Sequence, residues 1–125
     1  MLSVRFVVPG EPVPYMRPAP GLKGGRIVPK REREWRQRVV IHFCQQRHGA
    51  PPLVGPLSLE AVFYRSTLRR ADCSNLVKSV EDALNGVAYA DDSQVVVLHA
   101  EKRLDRACPR AEVTITQREE SWFQD

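Results

Sequence analysis

The chain of 125 residues has little that would staple, anchor or repeat it. It contains three cysteines, Cys44, Cys73 and Cys108, and no Cys-x-x-Cys pair. An odd number without paired spacing argues against a disulfide framework and for reduced thiols in a cytoplasm. No apolar run approaches the roughly 20 residues of a membrane span, so no membrane partner is expected. The opening Met1-Leu2-Ser3-Val4-Arg5 lacks the design of a signal peptide and reads as a strand. No internal repeat or low-complexity tract breaks the chain, and the length suits a single domain, 1–125. It is also short enough that dimerisation would add useful burial.

Acids are the scarcer charge. Fifteen Asp and Glu stand against nineteen Lys and Arg, a formal net charge of +4. The imbalance is local. Between Arg5 and Arg38 there are nine cations and three acids, an excess larger than that of the whole chain. Such an excess favours a polyanionic partner, although a charge run alone is more often a solvated face.

Hydrophobic periodicity gives an order of elements. Residues 2–8 read as a strand ended by Pro9-Gly10. Residues 9–29 are rich in proline and glycine steps and read as one long loop. Loops of that length in small domains are usually functional or disordered. This one carries Arg17, Lys23 and Arg26 and leads to Lys30 and Arg31, spacing suited to a phosphate backbone. Residues 30–48 read as a helix with Trp35, Val39, Val40, Ile41 and Phe43 on a broad buried face. His42 and Cys44 lie two apart on that helix and face different ways, which argues against a zinc site. Residues 57–65 alternate as a strand and deliver Arg65, Arg69 and Arg70 to the next segment. Two further strands, 94–103 and 111–117, flank a hairpin loop, and 118–125 form an apolar-tipped tail. The expected fold class is α+β, a two-layer domain with a mixed sheet and two helices packed on one face.

The stretch from 69 to 97 organises the rest. Ser74 or Asn75 can cap a helix whose apolar face is Leu76, Val80, Ala83, Leu84 and Val87. Asn75, Lys78, Asp82 and Asn85 fall on the opposite side, and Gly86 suits the position just past the end. Asp72 stands just before this helix. Asp91 and Asp92 precede the run Val95-Val96-Val97-Leu98, which reads as a buried strand. Acids converging from a strand end, a helix start and a second strand would suit Mg²⁺, which takes oxygen ligands.

The motifs Asp72-Cys73-Ser74-Asn75-Leu76-Val77-Lys78, Asp82-Ala83-Leu84 and Asp91-Asp92-Ser93-Gln94-Val95 resemble the RusA family of Holliday junction resolvases. Gly10-Glu11-Pro12, Arg17-Pro18 and Val28-Pro29 extend the likeness more loosely. The resemblance implies a Mg²⁺-dependent endodeoxyribonuclease of recombination and repair, with Mn²⁺ as an alternative ion. It implies a homodimer that nicks two strands of a four-way DNA junction. It also implies catalytic Asp72, Lys78 and Asp92, metal ligation by Asp72 and Asp92 with Asp91 in reserve, and support from Asn75 and Asp82. The family's second catalytic Asp falls on Ser74, which carries no charge. Glu81 is a candidate replacement, seven residues from Ser74 or roughly 10 Å along the helix axis. Lys30, Arg31, Arg65, Arg69 and Arg70 join the loop cations as expected DNA contacts. The alternatives are a junction-binding module with weak or no cleavage, and a basic RNA-binding protein. The second leaves the acids beside Lys78 unexplained.

Overall fold

The computed structural model describes residues 2–16 and 27–119. Arg17, Lys23, Arg26 and most of the 118–125 tail lie outside the described residues. Six longer stretches alternate or repeat as their side chains demand. Strand β1 is Ser3–Pro9, helix α1 Lys30–Arg47, strand β2 Leu57–Arg65 and helix α2 Cys73–Leu84. A single 3₁₀ turn at Asp92–Gln94 leads into β3, Val95–Leu104, and the loop 105–109, not the expected hairpin, carries the chain past β2 to β4, Arg110–Gln117. The sheet order is β1-β4-β2-β3, antiparallel except for the parallel β2–β3 pair. This is the small α+β domain, with a mixed four-stranded sheet and two helices, that the periodicity predicts.

Register explains the core. Val4, Phe6 and Val8 pair with Ile115, Val113 and Ala111, which pair in turn with Leu59, Ala61 and Phe63. All nine are buried on one face. Trp35, Val39 and Phe43 of α1 and Leu76, Val80 and Leu84 of α2 are buried in the same cluster. Fully burying one such side chain contributes about 1.5–3 kcal/mol. Trp35 is completely buried, as its helical spacing predicts.

Three other local expectations are corrected. Ile41 does not join the buried face. It is 52 % exposed and lines a groove between α1 and α2 with Val40 and Ala83. The run Val95–Leu98 is not buried either, because β3 is an outer strand with a single sheet neighbour. Asp91 and Asp92 do not lie on that strand. Asp91 caps the 3₁₀ turn: its carboxylate accepts the Ser93 N–H at 3.1 Å, and the Gln94 side chain accepts the Ala90 N–H at 2.9 Å.

Helix α2 is the crossover between parallel β2 and β3, so it runs back along the sheet. The residue before α2 and the residues before β3 therefore lie at opposite ends of the domain.

Candidate active site

Asp72, not Ser74 or Asn75, holds the cap position of α2. Its backbone carbonyl accepts the Asn75 and Leu76 N–H groups at 3.1 and 3.0 Å, while its carboxylate makes no capping bond. The side chain is exposed at the positive end of the helix and uncommitted among the described residues. Ser74 is exposed beside it, and Asn75 spends its backbone carbonyl on the Tyr15 N–H at 2.8 Å.

One helical turn on, Lys78 stands half exposed. Its ammonium lies 3.7 Å from Asp82 Oδ2 and 4.8 Å from the centre of the Tyr15 ring. Asp82 is shared, because Arg36 of α1 donates to the same oxygen at 3.2 Å. Arg36 also reaches Glu32 Oε2 at 2.7 Å, and Glu32 Oε1 accepts the Met16 N–H at 2.9 Å. Glu32 is completely buried, so its charge has to be matched inside the fold. The chain Glu32–Arg36–Asp82–Lys78 thus ties the loop before residue 17, both helices and the candidate lysine into one network. Sequence reading finds only its last link. Glu32 lies three residues before Trp35 and seven before Val39, so helical spacing puts it on their buried face, and only its charge argues for the surface.

Glu81, Asp82, Asp91 and Asp92 form an acidic neighbourhood around the far part of α2. Glu81 is partly buried, and burial raises its pKa above the usual carboxylate range. Asp92 and Asp82 raise it further by like-charge repulsion, and Lys78 opposes them. Tyr89 is buried there, donates its hydroxyl to the Glu81 carbonyl at 3.1 Å, and is pushed above its usual value by burial and the same acids. Hydrogen bonds from Ser93 hold the Asp91 carboxyl below its usual range. The C-terminal part of a helix disfavours negative charge, so these acids sit against the local field. A divalent cation would relieve that repulsion, and the donor set of Asp92, Asp91 and Glu81 fits an oxygen-seeking ion. Yet among the described residues no three His, Cys, Asp or Glu groups gather closely enough to hold one. The convergence with Asp72 that the sequence suggests does not form within one chain, because α2 separates the two groups.

The family model for Endodeoxyribonuclease RusA matches residues 9–116. The chain belongs to the RusA endodeoxyribonuclease family. It is also 32 % identical over 141 aligned residues to the uncharacterized protein YqaN of Bacillus subtilis (strain 168), across 94 % of this chain and 98 % of that protein. Membership makes endonucleolytic action on Holliday junction DNA the family-level reading of the site.

The basic side of the site lies at the Asp72 end. Pro14, Met16, Arg31, Arg65, Thr67, Arg69 and Arg70 line a concavity of about 540 Å³. Arg31, Arg69 and Arg70 are exposed. Arg65, expected as a DNA contact, is buried and donates to the Arg69 carbonyl at 3.0 Å. Lys30 is exposed at the start of α1, 3.8 Å from Glu34. Among the described residues no helix is long and apolar enough to cross a membrane.

Proposed function

We propose that this protein is a Mg²⁺-dependent, structure-specific endodeoxyribonuclease that resolves four-way DNA junctions by paired nicks. Membership of the RusA family supports branched DNA as substrate. The observation that carries the chemistry is Asp72, an uncommitted carboxylate at the head of α2 between the arginine-lined concavity and Lys78. Asp72 and Asp92 would hold the metal, with Asp91 and Glu81 nearby. A bound divalent ion supplies an activated water and neutralises charge on the phosphoryl group. Lys78, aimed by Asp82, stabilises charge developing on the phosphate oxygens. Asp82 in turn is oriented by Arg36.

The separation of Asp72 from Asp92 gives the homodimer a chemical role. In a two-fold pair, one copy's Asp72 end can face the second copy's Asp92 end, and symmetry then builds two identical centres. Each centre draws carboxylates from both chains. A four-way junction has matching two-fold symmetry, so two centres can nick two strands of like polarity.

The second reading is a junction-binding module with weak or no cleavage. It is favoured by Ser74, which cannot supply the charge of the family's second Asp. Incubation of a synthetic four-way junction with Mg²⁺ or Mn²⁺ separates the two. Paired nicks in the wild type, lost in Asp72→Asn with binding retained, support the nuclease. Tight binding without cutting in either metal supports the module.

A further inference from the structure

The segment from Ser66 to Ala71 has no regular structure, yet its backbone is fastened from behind at nearly every step. Lys102 of β3 donates to the carbonyls of Leu68 and Ala71 at 3.3 and 2.8 Å. Buried Arg65 donates to the carbonyl of Arg69 at 3.0 Å. Glu11 accepts both the N–H and the hydroxyl of Ser66. The Arg69 N–H donates to Thr67 Oγ1 at 3.2 Å. Carbonyl oxygens are thus drawn inward onto cations, and the side chains of Arg69 and Arg70 are turned out. Arg70 is held at φ 62°, a left-handed conformation that disfavours any residue with a Cβ. Such a conformation persists only where the surroundings over-determine it. Among the described residues Arg31, Arg69 and Arg70 pair with no acid, and all three face the concavity of about 540 Å³.

We propose that this loop is a preformed cradle for a DNA backbone phosphate, gripped by Arg31, Arg69 and Arg70, and that Lys102 is a positioning residue that sets the cradle without touching DNA. The inference rests on the nuclease reading only in taking DNA as the ligand. Three guanidinium groups converging on one concavity match phosphate oxygens in charge and in hydrogen-bond geometry. A rigid loop loses less entropy on binding than a mobile one. Lys102 fixes the peptide that leads into the arginine pair and the peptide that leads into Asp72, so the cradle and the proposed metal-binding acid are set by one cation.

The test is the salt dependence of binding to a four-way junction and to linear duplex DNA, without divalent metal. Each lost phosphate contact lowers the log–log slope by about 0.9. Arg69→Ala and Arg70→Ala are expected to lower it by about that much each. Lys102→Met is expected to weaken binding about tenfold through loss of two charge-assisted bonds, with the slope unchanged. Lys102→Arg, which keeps the donors, restores affinity. Lys102→Met added to the double arginine variant costs little more, because the cradle has nothing left to hold. A melting curve for each variant reports folding. A Lys102→Met slope that falls as for Arg69→Ala overturns the positioning role, and unchanged affinity overturns it as well. A wild type that binds duplex and junction equally sinks the branched-DNA reading and leaves the cradle standing.

Discussion

The two ends of α2 carry opposite charge and solve opposite problems. At its N-terminal end an exposed carboxylate, Asp72, follows an arginine-bearing loop that is braced by Lys102 and Arg65. At its C-terminal end Glu81, Asp82, Asp91 and Asp92 crowd together, and burial with mutual repulsion raises the Glu81 pKa. The first end is built to receive a polyanion. The second repels one until a cation intervenes. Within one chain the arginine-rich end and the acidic end are separated by a helix of about 18 Å at 1.5 Å per residue. Under the proposed function, cutting requires the two ends to meet, and a second copy of the chain would bring them together.

The largest effect is expected where one end is removed altogether. Asp72→Asn and Asp92→Asn should each lower metal-dependent nicking by at least about 10²-fold, with junction binding kept. Gel-based cleavage beside a binding titration reads both. If Asp92→Asn cuts normally, the acidic end is not part of the centre. Next comes the lysine on the helix between them. Lys78→Met should reduce the single-turnover rate by about 10²-fold with little change in affinity, and Asp82→Asn by less, because Asp82 acts through Lys78.

A third expectation concerns the network behind the site. Glu32→Gln leaves Arg36 with Asp82 alone in a largely buried setting, and should cost about 2 kcal/mol of stability by urea unfolding. Rescue by a simultaneous Arg36→Met would show that the unpaired charge, not lost packing, was responsible. The smallest effect belongs to Glu81. Its pKa is raised in the folded state, so the native protein binds more protons than the unfolded chain over the window above pH 4.5. Stability from this group is therefore full at low pH and lost as pH rises through the folded value. Glu81→Gln should raise the melting temperature slightly at pH 8 and not at pH 4, and Mg²⁺ should narrow the gap. If Glu81→Gln also cuts like the wild type, its candidacy as a substitute for the missing acid at Ser74 ends.

Much of this was legible in the residues. Leu57, Leu59, Ala61 and Phe63 alternate because β2 is central and covered by helices on one side, and all four are fully buried. Gly86 sits just past α2 with φ 81°, the role its position predicts. The Lys78–Asp82 pair follows from helical spacing alone. The failures share a cause. Val95–Leu98 is apolar, and apolarity cannot tell a central strand from an outer one. Glu32 is charged, and only its partners in space explain why it is buried. Asp72 and Asp92 sit in one motif, but closeness along the chain does not survive a parallel crossover. The arginines before Asp72 were legible as cations. That Arg65 and Lys102 spend their charge on the loop's own carbonyls was not, because those bonds depend on register between β2 and β3.

The account turns on whether two copies share one centre, and mixing variants tests that directly. Asp72→Asn and Asp92→Asn chains, each inactive alone on a four-way junction with Mg²⁺, would be combined and allowed to exchange subunits. In a mixed pair one centre loses both acids and the other keeps both, so the mixture should recover nicking of a single strand per junction. A mixture as inactive as its parts, with exchange verified by mass, would contradict the shared centre and place both acids' work within a single chain.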